Sequence, residues 1–596
     1  MERLIENSLA DASMRTLKLM IVLICSLGIS QINAKEKFTA ELHEWPSFGR
    51  DHTNQRFSPL TQINDKTVGK LVPKWIYQTG KKGSFQTQPL VIDGVMYLTV
   101  PGNDVVALDA ASGEVKWRYK HRYRKEKNKG GPANRGAAVA QGKVFEATND
   151  GRLLALDQSS GKVVWDRIIV TPTISELMGL SPEERQTLHK NIDQLPAKMA
   201  PVVTKDLVIV GVTSAGYGIF YNFDTGVEDR PKGADEFLGQ RGFIGAYDIN
   251  TGVERWRWYT TKTGDWEGEY LATTLDGEPL ERDLDDEKTR ADQHKNNWRI
   301  GGSSTWMTPS YDASLGLIYV GTGNASPNDM FTARPGDNLY ANSLVAIDVK
   351  TGETRWHYQQ VPHDLWGYDV ASTSVLFDHS DGEQTIPAIA IAGKTGWVYA
   401  HDRRTGHLLF KSEPVVPQSN LFKAPTKEGV LASPGSFGGV SWSPTSFDPS
   451  NKMFYVAAIH KPSRYFLRYA DYNGEKTPYI EYGLANDQEN WGTLSAVDFS
   501  AQGKIKWQVK TDLPLIGGVL ATAGNLVFVG GGDGFFNAHD ARDGKHLWRF
   551  NCGAGVNAPP VSYQVGDKQY IAVAAGGHFL MGYPGGNAFI AFGLAE

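Results

Sequence analysis

Residues 107–117 read ALDAASGEVKW, and the same phrase returns at 155–165 (ALDQSSGKVVW), 246–256 (AYDINTGVERW), 346–356 (AIDVKTGETRW), 400–410 (AHDRRTGHLLF), 496–507 (AVDFSAQGKIKW) and 538–548 (AHDARDGKHLW). The Asp-to-aromatic spacing is eight residues in six copies and nine in the copy at 496–507. A module recurring along a long chain signals a repeat architecture. Apolar, β-branched residues precede each Ala-x-Asp. The Asp side chain can cap local backbone N–H groups, and the Gly can take positive φ, which makes a tight turn. The aromatic then opens the next strand, where a flat ring can wedge between sheets. With the hairpin patterns upstream, such as 91–97 and 525–529, each unit predicts four short antiparallel strands, which is a propeller blade.

Counting predicts an all-β, eight-bladed propeller. Seven modules are explicit, and Trp75 is an outer-strand aromatic with no module before it. The segments 570–575 and 588–592 read as strands lacking a partner, so N- and C-terminal strands sharing one blade would close the ring and remove open sheet edges. Insertions lengthen several blades. One carries a helix predicted over 181–193, opened by Ser181-Pro182-Glu183-Glu184 with an N-cap and an early Pro. Another, 264–297, is polar and acidic in its middle and reads as a surface excursion.

The chain has 596 residues with 64 Gly, 16 Trp and 24 Tyr, suited to many tight turns and aromatic wedges in a single domain over 35–596. A net charge of −5 points away from a nucleic-acid partner. Residues 1–34 read as a signal peptide: a basic start around Arg15 and Lys18, an apolar stretch at 19–29 and a cleavage site at 32–34, with Met14 as a possible true start. Export to a Gram-negative periplasm is the expectation. The mature chain would then keep one cysteine, Cys552, and no internal disulfide.

Several long motifs resemble, in order, those of the quinoprotein alcohol and glucose dehydrogenases that depend on pyrroloquinoline quinone (PQQ). They are NQRFSPL at 54–60 with QIN at 62–64, NRG at 134–136, QRG at 240–242, GNASP at 323–327, PHDLW at 362–366 and GGVLATAGNLVF at 517–528. PQQ is a flat tricyclic o-quinone with three carboxylates. The protein must sandwich the ring, neutralise the carboxylates, polarise the reactive carbonyl and supply a base. The resemblance implies roles for residues of this chain. Trp306, in the stretch 301–306 that includes Ser304, would be the floor beneath the ring. Arg135 would pair with a cofactor carboxylate. Lys394 would hold a positive charge beside the quinone oxygens. A Ca²⁺ or lanthanide ion would act as Lewis acid. Asn324 falls on the family's amide ligand, and Glu236 is a candidate carboxylate ligand, with an exposed insertion residue as its alternative.

This chain departs from the family pattern in three places. The position of the catalytic aspartate, directly behind Trp366, holds Gly367. Asp369 stands two residues later, where lanthanide-using relatives place a further metal ligand. In a strand-like segment residues two apart share a face, so Asp369 could serve as base; Asp364 is the fallback, and its other reading is a turn cap. The family's adjacent cysteines correspond to Lys129-Gly130-Gly131-Pro132, and a family glutamate in the first blade is replaced by Gln86. No Cys-x-x-Cys-His occurs, so no covalent haem is expected. Electrons would pass to an external acceptor, a cytochrome c or a membrane quinone, after oxidation of an alcohol, polyol or sugar. The alternative is a non-catalytic propeller scaffold in outer-membrane assembly.

Overall fold

The computed structural model describes residues 43–124, 133–213, 238–380, 382, 384–472 and 475–596. The predicted leader and Glu236 lie outside the described residues. Among the described residues the strands form ten sheets in an all-β propeller with few helices. Seven sheets contain one copy of the module each, in four antiparallel strands, to which the sheet of the module at 538–548 adds Phe57–Ser58 in parallel. The first is Leu90–Ile92, Val95–Val100, Asp104–Asp109 and Val115–Tyr119, in antiparallel order. The module's Ala-x-Asp ends the third strand and its aromatic lies in the fourth.

Within each module the Asp does what its type predicts. Asp109 Oδ1 accepts from the N–H groups of Ala111 (3.0 Å) and Ser112 (3.1 Å), and Asp248 Oδ1 accepts from those of Asn250 (3.0 Å) and Thr251 (2.9 Å). The Gly follows at positive φ, +76° at Gly113 and +69° at Gly252. The conserved geometry extends across the ladder. Ala107 is the cross-strand partner of Trp117, Ala155 of Trp165, Ala246 of Trp256 and Ala346 of Trp356. The small Ala leaves room for the indole opposite.

The ring of each aromatic then serves the next sheet. The Trp75 indole N–H donates to the Ala110 carbonyl at 3.1 Å, that of Trp117 to Gln158 at 3.0 Å, that of Trp165 to Ile249 at 3.3 Å and that of Trp256 to Val349 at 2.9 Å. The same contact recurs from Trp356 to Arg403 and from Trp507 to Ala541. In each of these contacts the indole also lies flat on the neighbouring module's Gly, where a Cβ would collide with it. One side chain therefore both satisfies its own N–H and fixes the angle to the adjacent sheet. The contact between the copies at 400–410 and 496–507 differs: Phe410 has no N–H to donate, and Gly503 packs on Ser412 instead.

One further sheet draws on both ends of the chain, in the order Leu71–Gln78, Ala588–Leu594, Lys568–Ala575 and Val561–Val565. In it Trp75 pairs across the ladder with Ala591. The alanine and the aromatic of that sheet are thus more than 500 residues apart in sequence.

Outside the repeat, the helix predicted over 181–193 forms as Pro182–Ile192, with Ser181 and Glu184 in a reciprocal capping box. The stretch 264–297 is only partly the surface excursion that its polarity suggests. It carries the exposed-faced helix Leu284–His294, but Trp266 is fully buried. Arg282 is likewise buried, 2.7 Å from both Glu287 and Asp337. The insertions after residue 411 form a small sheet of Val430–Ala432, Ser463–Tyr472 and Glu475–Leu484. Its Tyr465 hydroxyl donates to the Trp366 carbonyl (3.2 Å) and its Tyr482 hydroxyl to that of Leu365 (3.1 Å). Insertions from both sides thus grip the segment 363–369.

Candidate active site

The side chains that meet away from the strands come from the irregular segments just before the first strand of each repeat. Counting four residues back from Leu90, Val202, Ser310, Ser446 and Val561 gives Gln86, Lys198, Trp306, Trp442 and Asn557. Arg135 stands three residues before Ala138. The Arg135 guanidinium lies 4.8 Å from the centre of the Trp306 ring and 5.6 Å from that of Trp442. Around them Phe48, Met307, Ile459, Ile516 and Tyr583 form one apolar cluster, with Trp306 partly buried on its edge.

Arg135 is 4% exposed, and its Nε and Nη1 have no hydrogen-bond partner. Burial pulls its pKa down to about 9, so it stays charged at neutral pH. Beside it the Gln86 Nε2 lies 3.1 Å from His578 Nε2, while Gln86 Oε1 and His578 Nδ1 are buried without partners. Desolvation, helped by the Arg135 charge, takes His578 down to about 4, so it is neutral. The Trp442 indole N–H and the Asn557 Nδ2 are also buried and unsatisfied. Buried polar atoms normally find partners. A cluster of open donors, an unpaired guanidinium and an aromatic face suits a planar, polyanionic, carbonyl-bearing ligand.

A second group adjoins the first through the stretch Gly301–Trp306. The Ser304 carbonyl accepts from Gly323 N–H (2.9 Å), and the Ser303 N–H donates to the Asn324 carbonyl (2.8 Å). The Asn324 N–H in turn donates to Asp369 Oδ1 at 2.8 Å. Lys394 Nζ lies 3.4 Å from Asp369 Oδ2 and donates to the Gly367 carbonyl at 2.8 Å. Asp369 is 4% exposed and Lys394 3%. The base of the Lys394 side chain is pressed against Gly438, next to Phe437, which packs on the apolar cluster. Ser304, Trp306, Asn324, Asp369 and Lys394 therefore belong to one neighbourhood that continues to Arg135 and Gln86.

Asp364 is engaged by its own loop. Its oxygens accept from the N–H groups of Trp366 (3.0 Å), Gly367 (3.1 Å) and Tyr368 (2.9 Å) and from Asn342 Nδ2 (3.1 Å). It is the cap that shapes the loop, which is its turn reading. Nor is the segment around Asp369 a strand: Gly367 has φ +80°, and 367–374 is irregular. Asp369 reaches Asn324 and Lys394 because the capped loop turns it inward, not because of strand alternation. Among the described residues no group of three or more His, Cys, Asp or Glu is arranged to hold a metal ion. Asn324 and Asp369 are the two described oxygen-bearing candidates.

Sequence reasoning missed Lys198, His578, Trp442 and Asn557. A signal was present for three of them: the shared offset from the first strand of each repeat.

The model of the family described as "PQQ: Glucose/ethanol/alcohol dehydrogenase, beta-propeller domain" matches residues 45–422 and 470–571. The chain belongs to the PQQ-dependent alcohol dehydrogenase family. A quinoprotein ethanol dehydrogenase of Pseudomonas aeruginosa is 32% identical over 568 residues, 89% of this chain and 85% of that one. Among solved structures, a quinohemoprotein alcohol dehydrogenase of Pseudomonas putida superposes with a TM-score of 0.75 at 28% identity, covering 93% of this chain and 80% of that chain. A europium-containing methanol dehydrogenase gives 0.74 at 27% identity, covering 94% and 99%. This kinship supplies a chemical identity for the open donors: the PQQ-dependent dehydrogenases share a cofactor that is flat, carboxylated and rich in carbonyl oxygens. The scaffold alternative is not favoured.

Proposed function

We propose that this PQQ-dependent dehydrogenase oxidises an alcohol, polyol or sugar to the carbonyl and passes the electrons to a separate carrier. The observation that carries the reading is the buried, unpaired guanidinium of Arg135 set over Trp306 and Trp442. Bound PQQ would supply the hydride acceptor. Arg135 would bind one of its carboxylates in a charge-assisted contact, and Trp306 with Trp442 would offer it apolar surface. Lys394 fixes a positive charge where no water competes, which favours negative charge developing beside it. Asp369, oriented by Asn324 N–H and Lys394, would take the substrate hydroxyl proton at Oδ2 as the C–H bond breaks.

Asn324 and Asp369 would hold a Ca²⁺ or lanthanide ion by hard oxygen donors. Support for a lanthanide comes from the methanol dehydrogenase relative, whose structure contains europium. We read the seven module sheets and the sheet shared by the two ends as eight blades closed into one ring. The relay of tryptophans from sheet to sheet and the Trp75–Ala591 pairing support this. The leader-like stretch supports a periplasmic location, where a cytochrome c or a membrane quinone would receive the electrons.

Incubating the purified protein with PQQ and Ca²⁺ or La³⁺, desalting it and assaying dye reduction with a panel of alcohols, polyols and sugars tests the proposal. Retained quinone absorbance with turnover is expected. No retained absorbance and no turnover on any substrate would overturn it.

A further inference from the structure

The site holds a third cation, Lys198, beside the two that its chemistry as read above uses, Arg135 and Lys394. Lys198 occupies the offset of Gln86, Trp306, Trp442 and Asn557, four residues before a first strand. Its carbonyl accepts the Arg135 N–H at 3.1 Å, so the two segments run side by side. Among the described residues the Lys198 ammonium has no ion pair and no hydrogen bond, and the Arg135 side chain has none either. Desolvation and the Arg135 charge draw Lys198 down to about 8. Gln86 and the His578 it contacts, which feels the Arg135 charge, are neutral, so neither offsets the two charges.

Two like charges sharing a poorly solvated pocket without a carboxylate are costly unless something compensates them. Gln86 sharpens the point, because the glutamate that the family resemblance expects there would have neutralised one of them. With Gln86 in its place, both cations remain open to a ligand.

We propose that Lys198 is a second carboxylate anchor of the cofactor site, acting with Arg135 to bind a ligand bearing at least two carboxylates. This rests on PQQ being the ligand, and PQQ has three carboxylates. Arg135 takes one as a bidentate fork, and Lys198 takes another as a point charge. Charge then contributes to holding the cofactor in this site, and retention falls with salt.

The test is a PQQ titration followed by quenching of tryptophan fluorescence at low and high salt, in wild type, Lys198→Met and Lys198→Arg. The expected result is a Kd raised about tenfold in Lys198→Met, the loss of one charged contact, with a shallower salt dependence, and recovery in Lys198→Arg. Equal affinity and equal salt dependence in Lys198→Met would overturn the anchor while leaving the cofactor reading intact. A wild type that binds no PQQ would overturn both. Should Lys198→Met fail to fold, acetylation of the wild type decides. Peptide mass spectrometry should show Lys198 protected when PQQ is bound, and equal labelling with and without PQQ refutes the anchor.

Discussion

Lys394 Nζ and Asp369 Oδ2 stand 3.4 Å apart, both side chains nearly inaccessible to solvent. The pair is held from outside itself: Lys394 also donates to the Gly367 carbonyl, and Asp369 also accepts from the Asn324 N–H. If Asp369 is the base, Asp369→Asn keeps the shape and an oxygen for the Asn324 N–H but loses the proton acceptor and the charge facing Lys394. Turnover should fall by about 10²–10⁴ while PQQ affinity changes little. Steady-state kinetics beside a fluorescence titration checks this. Unchanged turnover would return the base to another group.

Lys394→Met should behave differently from Asp369→Asn. It leaves a buried carboxylate without its charge partner, a change that typically costs about 3–5 kcal/mol. A lower melting temperature together with lost activity is expected. Restoration of the melting temperature by the double variant Lys394→Met/Asp369→Asn would show that the stability loss was the orphaned charge.

The docking of each tryptophan on the next module's glycine predicts a graded stability series. Gly161 has φ +68° and faces the Trp117 ring, whereas Gly142 has φ +70° and open space around it. Gly142→Ala should cost only the left-handed backbone penalty, about 1 kcal/mol. Gly161→Ala adds a collision with the indole and should cost about 2–4 kcal/mol in all. Equal losses in denaturant unfolding would mean that the indole yields freely.

Asp329 sets a pH dependence. It is 4% exposed, and desolvation raises its pKa to about 7, with backbone N–H groups, that of Met330 among them, and then Arg334 only partly offsetting the effect. In the unfolded chain it would titrate near 3.8. Between those values the folded state binds more protons than the unfolded one, so stability falls as pH rises from about 4 to 7 and then levels. Asp329→Asn should remove that slope and be the more stable form at pH 8, by about 2–4 kcal/mol. Melting temperatures of both forms across pH 4–8 test it, and identical profiles would refute the burial cost.

What could be read from the chain beforehand divides along a physical line. The module was legible because its chemistry is local: Asp109 caps residues two and three ahead, Gly113 turns, and Trp117 sits opposite Ala107. Trp306 and Arg135 were legible only through family resemblance. Lys198 was marked only by its offset of four residues from Val202, and His578 was not legible at all, since its meaning arises when distant segments meet. The choice between Asp364 and Asp369 could not be made from spacing, because both lie in one short loop. The backbone N–H groups of Trp366, Gly367 and Tyr368 occupy Asp364, which is why the proposal places the base at Asp369. The excursion 264–297 looked external because its charges are many, but Arg282 pairs under cover with both Glu287 and Asp337.

The Trp75–Ala591 pair makes closure testable without touching the site. In the seven module sheets one short segment provides both the alanine and the aromatic, so each can form from local sequence. The sheet of Leu71–Gln78 cannot form until the two ends of the chain meet, because its partner is Ala588–Leu594. Deleting 588–596 removes that partner and exposes the edges of both Leu71–Gln78 and Lys568–Ala575. It also strips Phe592, which packs edge-to-face on Trp548 at 5.3 Å, from the neighbouring sheet. If the ring is one cooperative unit, the deletion should lower the melting temperature of the whole protein and abolish PQQ binding, although no deleted residue belongs to the site. A deletion variant with two melting transitions, the main one unshifted, would show that the last sheet is an appendage and that the remaining sheets hold the site by themselves.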